Sequence, residues 1–135
     1  MNGRLAVILA VMLAGFPAMA AENDPLLDRW YAALQAADAA ALGELLSANA
    51  TVKLNDIGTS QTKAEFIGSM PEWKNAIAGG TIRHKADGAV DGASAYKVCY
   101  HFKGNDLLTR EVFTVSDGRI ETSEQTTLAE TCADF

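Results

Sequence analysis

The chain has 135 residues, of which 49% are hydrophobic and 21% are charged, and its formal net charge is −6. This composition is that of a globular protein and excludes a disordered or collagen-like chain. The acidic balance also argues against a nucleic-acid-binding protein, because such proteins neutralise phosphates with Lys and Arg side chains.

The first twenty residues have the layout of a secretory signal peptide. Arg4 supplies a positive charge, residues 5–16 are almost entirely apolar, and Ala18-Met19-Ala20 offers small residues for cleavage. The apolar run is shorter than the roughly 20 residues that span a bilayer, which makes a membrane anchor the weaker interpretation. We therefore expect a mature domain of residues 21–135, periplasmic or secreted, without membrane association and, lacking Arg4, one charge unit more negative than −6.

The mature domain is predicted to begin with helices. Asp24-Pro25 is typical of a helix start, because Asp caps the free N–H groups and Pro is tolerated at the first helical position. Apolar residues then recur at helical spacing from Leu27 to Leu34. Asp38 predicts the start of a second, short helix.

A short strand and a further helix are predicted next. Residues 51–54 alternate as a strand does, and residues 55–61 are expected to form a polar loop. Thr62 and Glu65 match a capping box, in which each side chain satisfies a backbone N–H group at the helix start. Pro71 breaks or restarts this helix.

From Thr81 onward the hydrophobic period is two, and Asp91-Gly92 and Asp117-Gly118 are typical hairpin turns. A meander of four antiparallel strands follows, and helices before a meander indicate a single α+β domain. The strands are expected near residues 81–90, 93–103, 107–116 and 119–128. The second strand is expected to place two different sets on its faces: Tyr96, Val98, Tyr100 and Phe102 on one, and Lys97, Cys99, His101 and Lys103 on the other.

The mature chain contains two cysteines, Cys99 and Cys132. An exported protein meets an oxidising environment, so a disulfide between them is the prediction. Buried free thiols and an intermolecular bridge are the alternatives.

The order of several short motifs resembles the nuclear transport factor 2-like superfamily, which includes SnoaL-like cyclases and ketosteroid isomerases. The resemblance covers nearly all of residues 24–128, and it is carried by Arg29–Asp38, Leu45-Leu46, Ala50–Val52 and Phe113–Ile120. It implies an α+β cone, in which N-terminal helices pack on a curved, mostly antiparallel sheet around a pocket. It also implies that side chains facing the pocket bind a ligand. In such proteins the opposite, convex face of the sheet often forms a homodimer interface. The implied ligand-binding residues are Trp30, Tyr96, Val98, Tyr100, Phe102 and Phe113.

Ketosteroid isomerisation requires a carboxylate base and two proton donors. The resemblance places the tyrosine of the first helix at Trp30 and the general base at Leu54, and only the third acid has a counterpart, Glu111. Because Leu54 can do no acid–base chemistry, this isomerase reaction is not expected.

A different catalytic arrangement follows from the last hairpin. With Asp117-Gly118 as a two-residue turn, Glu111 would oppose Glu124, and repulsion would raise the pKa of one carboxyl. These two acids are the candidate catalytic residues. The alternative is that both reach water or are neutralised by Arg110 or Lys103.

The two histidines suggest a metal site that we do not favour. With Asp91-Gly92 as a tight turn, His84 would oppose Cys99, and His101 would lie on the same face, as in some zinc or copper sites. No fourth ligand is evident and Cys132 competes for Cys99. The sequence therefore predicts neither a metal nor a cofactor.

Three functions remain open. The leading one is non-catalytic: the domain binds a small apolar molecule, or a protein partner, in or around its cone. The second is an isomerase, cyclase or hydrolase that uses Glu111 with Glu124, Tyr96 or Tyr100. The third is a homodimeric interaction module, or an inhibitor of another exported protein, acting through the convex face.

Overall fold

The computed structural model describes residues 22–135, together with Gly15. The predicted signal peptide, apart from Gly15, lies outside the described residues. Apart from strand β2, helices α1 to α4 and strands β1 to β6 follow in the predicted order. Their bounds are α1 Pro25–Ala36, α2 Ala39–Leu45, β1 Leu46–Leu54, β2 Thr59–Thr62, α3 Lys63–Gly68, α4 Met70–Ile77, β3 Thr81–Val90, β4 Ala93–Phe102, β5 Asn105–Ser116 and β6 Arg119–Ala129.

The helix starts follow the capping residues of the sequence. Asp24 accepts a hydrogen bond from the backbone N–H of Leu26 at 2.8 Å, and Asp38 caps α2 in the same way. Both hydrogen bonds of the Thr62 capping box are formed. Pro71 lies in the first turn of α4, so it restarts the helix rather than ending it. Among residues 22–135, no helix is long and apolar enough to cross a membrane.

The six strands form one curved sheet in the order β2-β1-β6-β5-β4-β3. All neighbouring pairs are antiparallel except β1 with β6. The helices pack on the inner face of this sheet through a shared apolar core. Its largest fully buried members are Trp30, Tyr31, Tyr96, Phe113, Leu27, Leu42, Leu46 and Ile120. The α+β cone that the sequence predicted is confirmed.

The segment predicted as a polar loop contains a strand. A 3-10 turn over Asn55–Ile57 leads into β2, which pairs antiparallel with β1 at the sheet edge. The four residues of β2 are Thr-Ser-Gln-Thr, so the strand has no hydrophobic alternation and is held by main-chain pairing. A pattern of hydrophobicity could not predict it.

A β-bulge in β3 changes the predicted pairing of the first hairpin. Asp87 and Gly88 add one residue to β3, and Gly88 has φ +83°, a conformation that favours glycine. The extra residue shifts by one position every pair that lies beyond the bulge as seen from the turn. His84 therefore lies opposite Val98 rather than Cys99. A shift of one residue moves a side chain to the other face of the sheet. The predicted pairing of His84 with Cys99 is wrong.

A second bulge changes the last hairpin. Glu121 is the additional residue in β6, between the Asp117-Gly118 turn and the centre of the strand. Glu111 therefore lies opposite Gln125, and Glu124 lies opposite Val112. The predicted pairing of Glu111 with Glu124 is wrong for the same reason.

The C-terminal tail, residues 130–135, crosses the outer, convex face of β3 and β4. A disulfide joins Cys132 to Cys99 of β4, which confirms the predicted pairing. Lys97 donates a hydrogen bond to the backbone oxygen of Asp134 at 3.1 Å. The ring of Phe135 contacts two cations of β3, with centroid distances of 4.5 Å to Arg83 and 4.6 Å to Lys85.

Replacing both cysteines, Cys99→Ser with Cys132→Ser, should lower the free energy of unfolding by about 3–4 kcal/mol in the chain-entropy model, because the bridge closes a loop of 33 residues. Urea unfolding followed by circular dichroism measures this difference. Wild-type protein in excess reductant should lose the same amount. Coincident unfolding curves for wild type and the double variant would contradict the prediction.

Candidate functional site

A pocket of about 360 Å³ lies between the helices and the inner face of the sheet. Its inner part is bounded by buried side chains, including Trp30 and Glu111, and its outer part by the exposed Glu72 and Ala76 of α4. Leu34, Val52, Leu54, Met70 and Leu107 supply aliphatic surface. Five aromatic rings also line it: Trp30, Phe66, Trp73, Tyr100 and Phe102.

The predicted ligand-binding face divides into two parts. Trp30, Tyr100 and Phe102 line the pocket. Tyr96, Val98 and Phe113 do not line it and belong to the buried core under α1. The reason is that α1 lies across this part of the sheet. Its Tyr31 packs against the rings of Tyr96 and Phe113 at centroid distances of 6.0 and 6.1 Å.

The carboxylate of Glu111 lies in the inner part of the pocket and is 2% exposed. Its Oε1 accepts a hydrogen bond from Tyr31 at 2.9 Å. Its Oε2 accepts from Tyr100 at 2.5 Å and from Thr109 at 2.8 Å. The carboxylate of Glu111 thus accepts three hydrogen bonds, from hydroxyl groups of α1, β4 and β5.

Burial raises the pKa of Glu111 above its ordinary value, because desolvation disfavours the charged form. The three hydroxyl donors act in the opposite direction by stabilising the carboxylate. Burial also raises the pKa values of Tyr31 and Tyr100 well above their ordinary range, and the neighbouring carboxylate raises them further. Glu111 therefore keeps its proton to higher pH than an exposed carboxyl does.

The other residues proposed to act with Glu111 have different outcomes. Tyr100 contacts it, as one of the sequence hypotheses required. Tyr96 lies opposite Glu111 in the pairing of β4 with β5 but is not one of its hydrogen-bond donors among the described residues, and its hydroxyl accepts from the backbone N–H of Asp24 at 2.6 Å. Glu124 points to the other face of the sheet and accepts from Asn55 Nδ2 at 2.9 Å.

The sequence hypotheses missed Tyr31 and Thr109. Tyr31 lies within the helical pattern from Leu27 to Leu34, which predicts packing but not a hydrogen-bond donor. Thr109 lies two residues before Glu111 in β5 and so shares its face, which is the signal that could have found it.

The three positions compared with ketosteroid isomerases, Trp30, Leu54 and Glu111, all line the pocket. Leu54 presents an aliphatic side chain, so no general base lies there. Trp30 is buried, and its indole N–H has no hydrogen-bond partner among the described residues. Glu72 and Glu111 are the charged residues among those described as lining the pocket, and Lys, Arg and His are not represented.

The histidines do not form the metal set considered from the sequence. His84 Nε2 contacts Asp28 Oδ1 at 2.7 Å, and its ring stacks on Tyr31 at 4.5 Å. His101 Nδ1 contacts Asp106 Oδ1 at 2.7 Å on the opposite face. His101 lies near Cys99 and Cys132, but both sulfurs belong to the disulfide and cannot act as thiolate ligands.

Neither a scan of known protein-family models nor a search of curated proteins finds a match to this sequence. Solved structures do match. A protein with a ketosteroid isomerase-like fold from Catenulispora acidiphila, solved with trimethylamine, is 20% identical with a TM-score of 0.65, covering 77% of this chain and 85% of its own. A nuclear transport factor 2-like protein of unknown function from Burkholderia xenovorans is 14% identical with a TM-score of 0.64, covering 80% and 84%.

A third similar structure is that of SalBIII, an epoxide hydrolase/cyclase-like enzyme of pyran ring formation in the polyether salinomycin. It is 16% identical with a TM-score of 0.65, covering 76% of this chain and 88% of its own. The chain thus has the nuclear transport factor 2-like fold, which confirms the resemblance in its sequence. At these identities the likeness establishes the fold alone.

The variant Glu111→Gln should remove a pH dependence from the stability of the domain. The folded state favours protonated Glu111, so the unfolded carboxyl, with a pKa near 4.5, ionises first as pH rises. The free energy of unfolding of wild type, relative to the variant, should therefore be constant at lower pH. It should fall between pH 4.5 and the raised pKa of the folded state.

Urea unfolding of both proteins across pH 3–9 measures this difference. Tyr100→Phe should extend the fall to higher pH, because it removes a hydrogen bond that stabilises the carboxylate. Parallel pH profiles for wild type and Glu111→Gln would show that the prediction is wrong.

Proposed function

We propose that this chain is an exported domain that binds a small, largely apolar molecule in the pocket between its helices and sheet. The observation that carries the proposal is the open pocket of about 360 Å³ with five aromatic rings in its wall. Volumes of this order are common for small-molecule sites, which combine apolar walls with a few polar groups.

Contacts between the aromatic rings support a site formed before the ligand arrives. Trp30 stacks on Phe66 at a centroid distance of 5.6 Å. Trp73 meets Tyr100 and Phe102 edge-on at 6.0 and 5.9 Å, and its indole N–H donates to the backbone oxygen of Leu34 at 2.8 Å. Because these rings are already ordered, less conformational entropy is lost on binding.

The charges of the pocket favour a neutral or cationic ligand over an anionic one. Glu111 lies in the inner part and Glu72 in the outer part, and the described lining residues include no basic side chain. A ligand carboxylate would lose hydration without gaining a cationic partner.

Export is part of the proposal. It is supported by the layout of residues 1–20 and by the Cys99–Cys132 disulfide, because disulfides persist in oxidising compartments. An exported position would give the pocket access to molecules outside the cytoplasm.

Tetralin, a neutral bicyclic hydrocarbon, tests the binding function. Ala76→Phe should weaken its binding by about tenfold, equivalent to 1.4 kcal/mol, because the new ring would fill the outer part of the pocket. Titrations followed by the ¹⁵N indole signals of the two tryptophans give the affinities.

The matched control is Ala40→Phe, on an exposed position of α2 away from the pocket. It should bind tetralin as wild type does. Failure of wild type to bind, or equal binding by all three proteins, would overturn the proposal.

A second candidate function is acid–base catalysis by Glu111, with Tyr100 as its closest partner at 2.5 Å. A buried carboxyl of raised pKa in a pocket is suited to general acid–base chemistry. The structural likeness to SalBIII adds epoxide opening as a specific reaction to test. In that step Glu111 would give its proton to the epoxide oxygen as one C–O bond breaks. Solvent water would form the new C–O bond and return a proton to Glu111.

Styrene oxide is a suitable probe. Its conversion to the diol should exceed the rate in buffer and should return to that rate in Glu111→Gln. If wild type and buffer give the same rate, this second candidate is rejected, while tetralin binding still decides the first.

A further inference from the structure

We propose that the indole N–H of Trp30 determines which ligands the pocket accepts, and that these ligands carry a neutral hydrogen-bond acceptor, such as a ketone or ether oxygen, at their buried end. This inference rests on the proposed binding function and adds a chemical class to it.

The starting observation is that Trp30 is 2% exposed and that its Nε1 has no partner among the described residues. Buried polar groups are nearly always hydrogen-bonded, because an unsatisfied donor costs about 1–3 kcal/mol. Trp30 also lines the pocket. A donor without a protein partner in a pocket wall is suited to an acceptor brought by a ligand.

The second tryptophan gives an internal comparison. Trp73 lines the same pocket, but its Nε1 donates to the backbone oxygen of Leu34 at 2.8 Å. The fold therefore provides an acceptor for one indole and none, among the described residues, for the other. The difference sets Trp30 apart from an ordinary aromatic wall residue.

The position of the Trp30 ring is fixed by its neighbours. It stacks on Phe66 with an interplanar angle of 20° and meets Phe113 edge-on at a centroid distance of 6.3 Å. Both contacts, together with its place on α1, hold the indole ring in one orientation.

The surrounding groups restrict the acceptor to a neutral one. The hydroxyls of Tyr31, Tyr100 and Thr109 are all engaged by Glu111, so they are not free to donate to a ligand. The described residues that line the pocket include no basic side chain, so a ligand carboxylate would lose hydration without gaining a cationic partner. A ketone, ester or ether oxygen accepts from Trp30 without that cost.

The test compares 1-tetralone with tetralin, which differ by one carbonyl oxygen. The free energy of dehydrating the ketone is the same whether it binds wild type or a variant. The informative quantity is therefore the ratio of the two dissociation constants in each protein. Trp30→Phe should reduce the preference for tetralone over tetralin by about tenfold. Trp73→Phe should weaken both ligands together and leave their ratio unchanged, because its N–H is already satisfied.

Wild-type protein gives a second readout that does not depend on a variant folding. Its two indole N–H signals are assigned from the two variants, or from backbone experiments if one fails to fold. Tetralone should move the chemical shift of the Trp30 indole proton downfield, as a new hydrogen bond does. Tetralin should cause no such downfield shift.

The outcomes separate the two proposals. If both ligands bind wild type but the ratio is the same in Trp30→Phe, or changes equally in Trp73→Phe, this inference is overturned and the binding function stands. Tighter binding of tetralin-2-carboxylate than of tetralone would also overturn it, because the acceptor would then be anionic. If neither tetralin nor tetralone binds wild type, both proposals fail.

Discussion

The burial of Glu111 beneath α1 is the constraint on which the rest of the structure depends. Its carboxyl accepts hydrogen bonds from hydroxyl groups of α1, β4 and β5, so it fixes α1 against the centre of the sheet. Such a group is tolerated in an apolar interior only when its hydrogen-bonding capacity is met. The hydrogen bonds therefore stabilise the contact at one side of the cone, while the other side contains the pocket.

The pocket and this polar cluster are two parts of one arrangement. Tyr31, Tyr96 and Phe113 pack closely where α1 crosses the sheet. Beyond Trp30, the pocket lies between α3, α4 and the sheet, and Trp73 of α4 meets the rings of Tyr100 and Phe102 edge-on in its wall. Glu111 lies where the two parts meet, so its carboxyl both joins α1 to the sheet and lines the pocket.

Local chemistry was enough to predict most of the fold. The caps at Asp24, Asp38 and Thr62 and the turns at Asp91-Gly92 and Asp117-Gly118 act within a few residues, so the sequence predicts them directly. The faces of β3 and β6 could not be predicted in the same way. One bulge residue in each strand exchanges the two faces, and alternation in the sequence does not locate that residue. The structure therefore brings Glu111 and Tyr100 together, as one hypothesis required, and places Glu124 on the other face of the sheet.

The tail over β3 and β4 has a consequence for self-association. Residues 130–135 already occupy part of the convex face, on which the family resemblance implies a homodimer, through Cys99, Lys97 and the cations of β3. A second copy using that face would have to include the tail in the contact or displace it. Since the disulfide prevents displacement, the equilibrium between monomer and dimer on this surface would become linked to thiol oxidation.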